Sequence, residues 1–306
     1  IQEVTEEIII KLANSIKKEY EINNLCLAGG VALNCVANGK LYEKNIFDKI
    51  WIQPAAGDAG GSLGAALALW HNELNQPRNV NLDDDMQGSY LGPEYDNKEI
   101  EKILNEIGAV FEFKEDKDLI SKTAEDLSNE MAIGWFQGRM EFGPRALGAR
   151  SILGDPRSSS MQKNLNLKVK YRESFRPFAP SVLREDVSEW FNVDSDSPYM
   201  LLVSNINPKK CLTMTDEQKK LFGIDKLNVK RSEIPAVTHV DYSARIQTVH
   251  KNTNKRYYDL IKKFKEITDC PVLVNTSFNV RGEPIVNTPL DAFNCFMGTE
   301  LDRLVI

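Results

Sequence analysis

Residues Gly138 to Ser151 place Arg139, Arg145 and Arg150 among glycines and a proline that forbid a continuous helix. A loop of that make-up can bring guanidinium forks and bare backbone N–H groups towards one point, which is what a phosphate or carboxylate needs. A second stretch, Lys168 to Pro180, carries Lys168, Lys170, Arg172 and Arg176 ahead of the rigid Pro177. If that stretch is extended, alternation sets Lys168, Lys170 and Arg172 on one side. From Gly138 to Glu185 ten basic residues stand against four acids, a net of +6 in a chain of −6, so the remainder carries −12. A charge run is ordinarily a solvated face, but the interleaved Gly, Pro and Phe favour an anion site. The acidic remainder opposes a polyanion approaching over a broad surface, so a small phosphate fits better than nucleic acid.

Four further places offer ligand groups. Gly29-Gly30 and Gly57-Asp58-Ala59-Gly60-Gly61 each lie between an apparent strand and a helix. Both turns can present N–H groups to a nucleotide phosphate, and Asp58 can hold a metal ion or a hydroxyl; tight strand–helix packing explains such glycines equally well. Asn34, polar on a small apolar segment, is a ligand contact or a satisfied amide. Asn275, Ser277, Asn279 and Arg281 follow a Val/Leu strand. That set suits a nucleotide or a carbamoyl-like amide, against the alternative of a self-bonded turn. The three histidines are dispersed, so no metal site assembles from sequence neighbours and no Ser-His-Asp or Cys-His relay can be argued. The five cysteines contain no C-x-x-C pair, which points to a reducing cytoplasm, with Cys26 and Cys35 expected in the core.

The elements that must position these groups fall into two blocks. Over 306 residues, 42% hydrophobic and 27% charged composition predicts a globular α/β chain of roughly two domains. Its longest weakly polar stretch, Ala59 to Trp70, is too short and too rich in glycine to cross a bilayer. Residues 1–74 open with a helix spaced by Val4, Ile8, Leu12 and Ile16, then repeat strand, glycine turn and helix twice around a largely parallel sheet. Helices are predicted at Val31 to Tyr42 and up to Trp70, with strands at Leu25 to Ala28 and Ile50 to Gln53. Residues 75–97, including Asp83-Asp84-Asp85, read as a solvated linker. In the block 98–306 the pattern predicts helices near 97–107, 117–130, 257–267 and 289–297. Strands are expected at 110–113, 132–136, 271–274 and 304–306, with a polar excursion or lid at 207–232. The chain opens inside a helix without Met or a leader, which suggests a fragment.

The segments 27–34, 54–60, 138–153, 168–182 and 275–284 together resemble the O-carbamoyltransferases of nodulation-factor and antibiotic biosynthesis, over essentially the whole chain. The resemblance implies the second half of an actin/hexokinase-like ATPase domain, followed by a domain like threonylcarbamoyl-adenylate synthase. It implies two steps: carbamoyl phosphate and ATP, with Mg²⁺, give carbamoyl-adenylate, whose carbamoyl group then passes to a hydroxyl of a small-molecule acceptor. Arg139, Arg145, Arg150, Lys168, Lys170, Arg172 and Arg176 would neutralise the phosphorylated substrates. Asn275, Ser277, Asn279 and Arg281 would orient the carbamoyl group or ribose. Gly29, Gly30, Asn34, Gly57, Gly60 and Gly61 would hold the adenylate, with Asp58 as metal ligand. The family's first half supplies an H-x-x-x-H metal pair, absent from this sequence. A divalent metal, iron among the candidates, would therefore need ligands from a missing half, supplied as a separate chain or in a homodimer. Two other readings are a catalytically incomplete ATP-binding partner protein and a threonylcarbamoyl-adenylate synthase acting in tRNA modification.

Overall fold

The computed structural model describes residues 1–80 and 84–306, so Asp83 of the expected linker lies outside the described residues. In the first block, helix α1 (Gln2–Tyr20) leads to strand β1 (Asn24–Leu27), α2 (Cys35–Glu43), β2 (Lys49–Ile52) and α3 (Asp58–Ala68). β1 and β2 form a parallel two-stranded sheet. The single helix expected from Val31 to Tyr42 is instead a 3₁₀ turn, Gly30–Leu33, followed by α2. Asn34 separates the two, because its side-chain oxygen caps α2 by accepting from the Ala37 N–H at 3.1 Å.

The second block contains helices α4 (Asn97–Glu106) and α5 (Asp116–Ser128), strands β3 (Ile133–Phe136) and β4 (Arg150–Gly154), α6 (Met161–Asn164), β5 (Ala179–Leu183) and α7 (Val187–Trp190). After these come β6 (Leu202–Asn205), α8 (Asp216–Lys220), α9 (Gly223–Leu227), β7 (Ser243–Val249), α10 (Lys255–Thr268), β8 (Val272–Ser277), α11 (Pro289–Met297) and β9 (Arg303–Val305). Seven strands form one mixed sheet in the order β6-β7-β5-β8-β4-β3-β9, parallel only at β5/β7 and β3/β9. This is a mixed α/β fold. Strands β4, β5, β6 and β7 carry no strand signal in the reading above, while Val110 to Phe113, expected as a strand, joins no sheet. The core lies where α5 and α10 pack together over the sheet, with Trp135, Tyr257, Phe264 and Leu273 fully buried. Capping is local: Asp96 and Glu99 form a capping box on α4, and Thr288 with Asp291 does the same on α11 behind Pro289.

The two blocks meet in a second apolar cluster. Ala32, Ile52 and Ala56 pack there with Met86, Leu147, Ala179, Tyr199 and Leu201. Asn38 of α2 donates to its own block at Ala32 O (2.8 Å) and across the seam to Leu201 O (3.0 Å). Glycine is required at position 39, since a Cβ there would lie 2.2 Å from Val203 O. The segment expected as solvated linker is packed from Asp84 onward. Asp84 accepts from the Met86 and Gly88 N–H groups, Met86 is buried, and Tyr90 donates to Leu147 O at 2.7 Å. The excursion at 207–232 holds the short helices α8 and α9. It is pinned by an isolated bridge between Cys211 and Ser232 and by buried Arg231 donating to Leu227 O and Val229 O.

Candidate active site

Antiparallel pairing of β4 with β8 sets Ser151 opposite Ser277, and that of β5 with β8 sets Ala179 opposite Asn275. The loops 138–149, 170–178 and 277–283 therefore converge at one end of the sheet. Lys170 does not lie on an extended strand. It ends a π-helical turn, Leu165–Val169, and that turn breaks the alternation expected for Lys168, Lys170 and Arg172. Lys168 turns to the surface and pairs with Glu300 at 3.1 Å, whereas Lys170 is buried. The Lys170 ammonium donates to Ser277 O, to Ser277 Oγ (3.2 Å), and to the backbone (2.9 Å) and side-chain (2.7 Å) oxygens of Asn279. Ser277 Oγ donates to Asn279 Oδ1 at 2.7 Å, and Asn279 Nδ2 to Glu283 O at 2.7 Å. Burial first, then repulsion from Arg172, pushes Lys170 down to about 7.

Among its neighbours are further guanidinium groups, with Glu173 the acid near Arg172. Arg245, on β7, is pushed down to about 10 by burial and then by the charge of Arg145, with Arg172 adding to the effect; the Cys35 thiol on α2 pushes the other way. Arg145 Nε is buried with no acceptor. Arg172 donates from Nε to Asn166 Oδ1 at 2.6 Å, stacks 4.9 Å from the Phe178 ring, and is pushed down by burial and by Arg176. Like charges brought together with an unfilled donor make this cluster a candidate site for an anion. Below them, Asn275 Nδ2 donates to Ser181 Oγ (3.0 Å), Gln247 Oε1 (2.9 Å) and Ala146 O (3.3 Å), while Gln247 Nε2 donates to Leu147 O at 2.7 Å. Asn275 is thus buried scaffold beneath the arginine loop, with its Oδ1 left without a partner.

Other expected site residues stand apart from this cluster. Arg150 is fully buried: its guanidinium stacks 3.6 Å from the Phe136 ring and donates to the carbonyls of Gln137, Gly138, Ala149 and Pro93. It holds the loop ends and has no face open to a ligand. Arg139 pairs with Glu94 at 3.4 Å and Arg176 with Glu173 at 2.9 Å, both half-exposed. Arg281 is exposed and close enough to Glu173 to lower its pKa.

In the first block, Gly29 takes a left-handed φ of 95° and bonds through its N–H to Ala56 O at 2.9 Å, tying the two glycine turns together. Gly60 is needed for packing, its Cβ position falling 2.1 Å from Ala55 O, whereas Gly30 and Gly61 face open space and Gly57 meets only the Leu33 side chain. Asn34 exchanges hydrogen bonds with Gln2 besides capping α2, so its amide is already satisfied. Asp58 is exposed in the first turn of α3. Among the described residues no three His, Cys, Asp or Glu side chains converge, so the donors present do not fit a resident metal. Cys26, expected in the core, is exposed, and Cys35 is only partly buried. Two participants escaped the sequence reading: Arg245 and Gln247. Their signal is the alternation of Ser243, Arg245 and Gln247 with Ala244 and Ile246, which marks a strand with one polar face.

Comparison with known proteins bears on the same regions. Residues 124–306 match the family model described as Carbamoyltransferase C-terminus, and residues 1–67 match Carbamoyltransferase N-terminus. An uncharacterized protein of Synechocystis sp. is 59% identical over 100% of this chain and 50% of its own length. Nodulation protein NolO of Bradyrhizobium diazoefficiens is 41% identical, covering 100% of this chain and 52% of the relative. Nodulation protein U of Rhizobium fredii is 33% identical over 85% of this chain and 38% of its own length. The chain thus spans about half the length of the curated relatives it matches most fully.

Proposed function

Because the chain belongs to the carbamoyltransferase family, we propose that its second block forms carbamoyl-adenylate from carbamoyl phosphate and ATP for transfer to a small-molecule hydroxyl. What supports this reading is the charge neighbourhood: Arg145 and Arg172 both act on Arg245, and Arg172 acts on Lys170, whose ammonium bonds to Ser277 and Asn279. Two phosphorylated substrates bring several negative charges into one place, and fixed guanidinium groups in a partly desolvated pocket stabilise them and the charge that develops at phosphorus.

The first step transfers the phosphoryl group of carbamoyl phosphate to water, releasing phosphate and carbamate. A carbamate oxygen then attacks the α-phosphorus of ATP, and pyrophosphate leaves with the electron pair of the broken P–O bond. In this chain Lys170 ties Ser277 and Asn279 together through its ammonium, whose donors are filled by their oxygens, and would act on the phosphates through its charge. Arg145 and Arg245 take the phosphate chain, and Arg172 is fixed by Asn166 to close the same pocket. Mg²⁺ enters with ATP. In the second step the acceptor hydroxyl attacks the carbamoyl carbon, AMP leaves with the electron pair of the broken C–O bond, and the hydroxyl proton passes to solvent. Cys35 of α2 lies beside Arg245, so the first block adjoins these arginines, which supports its receiving the intermediate.

A divalent metal in the first block would need ligands beyond Asp58. We assign these to the other half of the relatives' length, as a separate chain or within a larger one. Five free thiols and an acidic remainder suit a cytoplasmic protein that binds small phosphates rather than nucleic acid. Among the described residues no helix is long and apolar enough to cross a membrane. The test is incubation of the purified chain with ATP, Mg²⁺ and carbamoyl phosphate. Pyrophosphate release that depends on carbamoyl phosphate is expected, and its absence would sink the reading.

A further inference from the structure

Glu141 sits inside the arginine-rich loop, yet its side chain is buried, 6% exposed. Its Oε1 accepts three backbone N–H groups from farther along the loop: Leu147 at 2.5 Å, Ala149 at 2.9 Å and Arg150 at 3.4 Å. One carboxylate oxygen thereby closes residues 141–150 into a ring. The carbonyls of the same stretch point outward to other side chains. Asn275 donates to Ala146 O, Gln247 and Tyr90 both donate to Leu147 O, and Trp135 Nε1 donates to Gly148 O at 2.9 Å. Gly148, at a φ of 105°, is pressed against the Tyr257 ring, where a Cβ would come within 2.2 Å. Residues 146–149 therefore have little freedom, and Arg145 leaves this clamp with its Nε still without a partner.

We propose that Glu141 is the positioning residue of the anion site, fixing the loop so that Arg145 meets Arg172 and Arg245 before any ligand arrives. The assignment rests on the reading of that cluster as the phosphate pocket. Geometry dictates the residue type. An acceptor oxygen on an arm of this length reaches all three N–H donors, and the side chain faces the loop's inside rather than the ligand, with Oε2 buried and without a partner. Burial pushes the Glu141 carboxyl up, and the N–H donors oppose that shift. Ordering the loop in advance lowers the cost of collecting guanidinium groups around an anion.

The test compares Glu141→Ala, Glu141→Gln and Glu141→Asp in the full chain. ATP affinity is measured by calorimetry, and the Arg145 Nε–H signal is followed by NMR. Glu141→Ala is expected to weaken ATP binding by about 10- to 100-fold and to shift or broaden the Arg145 signal, whereas Glu141→Gln, which keeps the accepting oxygen, stays within about threefold. If Glu141→Ala does not fold, Glu141→Asp takes its place, since its shorter arm cannot reach all three donors; about a tenfold loss is expected. Unchanged affinity in a folded Ala or Asp variant, or equal damage by Gln and Ala, overturns the proposal. Should the unmodified chain bind no ATP, the adenylate reading fails by itself. The same variants are then compared with inorganic phosphate as the probe, and a Glu141→Ala variant that binds phosphate as tightly as the unmodified chain overturns the positioning role.

Discussion

An ammonium buried among four oxygens titrates within reach of neutrality, so Lys170 makes the site sensitive to pH. Below about 7 it is charged and would add to the attraction for the proposed phosphate ligand; above that value the attraction would fade, although a bound anion would draw the proton back. ATP affinity is therefore expected to fall as the pH rises through about 7, and to lose that dependence in Lys170→Met, as followed by calorimetry across the range. Arg150 makes the opposite case. Its four carbonyl acceptors and its place over Phe136 make it structural, so Arg150→Met should cost at least about 3 kcal/mol in denaturant unfolding, because buried acceptors lose their donor. A loss below about 1 kcal/mol combined with vanished ATP affinity would instead make it a ligand contact. The sequence showed that arginines cluster among glycines and a proline, but not which of them point inward. Arg145 and Arg150 are five residues apart in the same motif, and only tertiary packing separates an open guanidinium from a sealed one. Arg245 lies sixty residues beyond the basic window and could be found only from the polar alternation of its strand.

Elements were legible where periodicity was strong. Helices α1, α4, α5, α10 and α11 fall close to their expected places because each carries an apolar spacing, and several have a capping residue. The central strands were hidden. β5 reads Ala-Pro-Ser-Val-Leu, and Pro180 argues against a strand flanked on both sides, yet it pairs with Val274. β4 begins at Arg150 inside what reads as a loop, since nothing in the sequence marks that arginine as buried. At the seam between blocks, α2 touches β6 so closely that Gly39→Ala should destabilise the chain by about 1–3 kcal/mol, through the clash of its Cβ with Val203 O. Thermal unfolding with an unchanged midpoint would mean that the two blocks are not docked in this way.

For the molecule as a whole, the exposed area is 16732 Å², while a compact monomer of its 34.6 kDa mass exposes about 13,000 Å². The excess is comparable with the burial in a large obligate interface, about 2,000–5,000 Å². Much of the exposed apolar surface lies in the first block, where α1 presents Val4, Ile8, Leu12 and Ile16, and α3 buries no residue at all. These faces should make the chain self-associate at micromolar concentration, or bind the other half of its relatives' length, in sedimentation experiments; a strictly monomeric chain unaffected by that half would contradict the expectation. Under the proposed function, adenylate chemistry would fall to the second block, and transfer to an acceptor would wait on surfaces that the first block leaves open. The most direct test is mass-spectrometric detection of carbamoyl-adenylate after the chain meets ATP, Mg²⁺ and carbamoyl phosphate. The account predicts that this species appears with the unmodified chain, disappears with Lys170→Met or Arg145→Ala, and persists with Lys168→Ala, whose side chain lies at the surface. Absence of the adenylate from the unmodified, ATP-binding chain, or its undiminished formation by Lys170→Met and Arg145→Ala, would contradict the account.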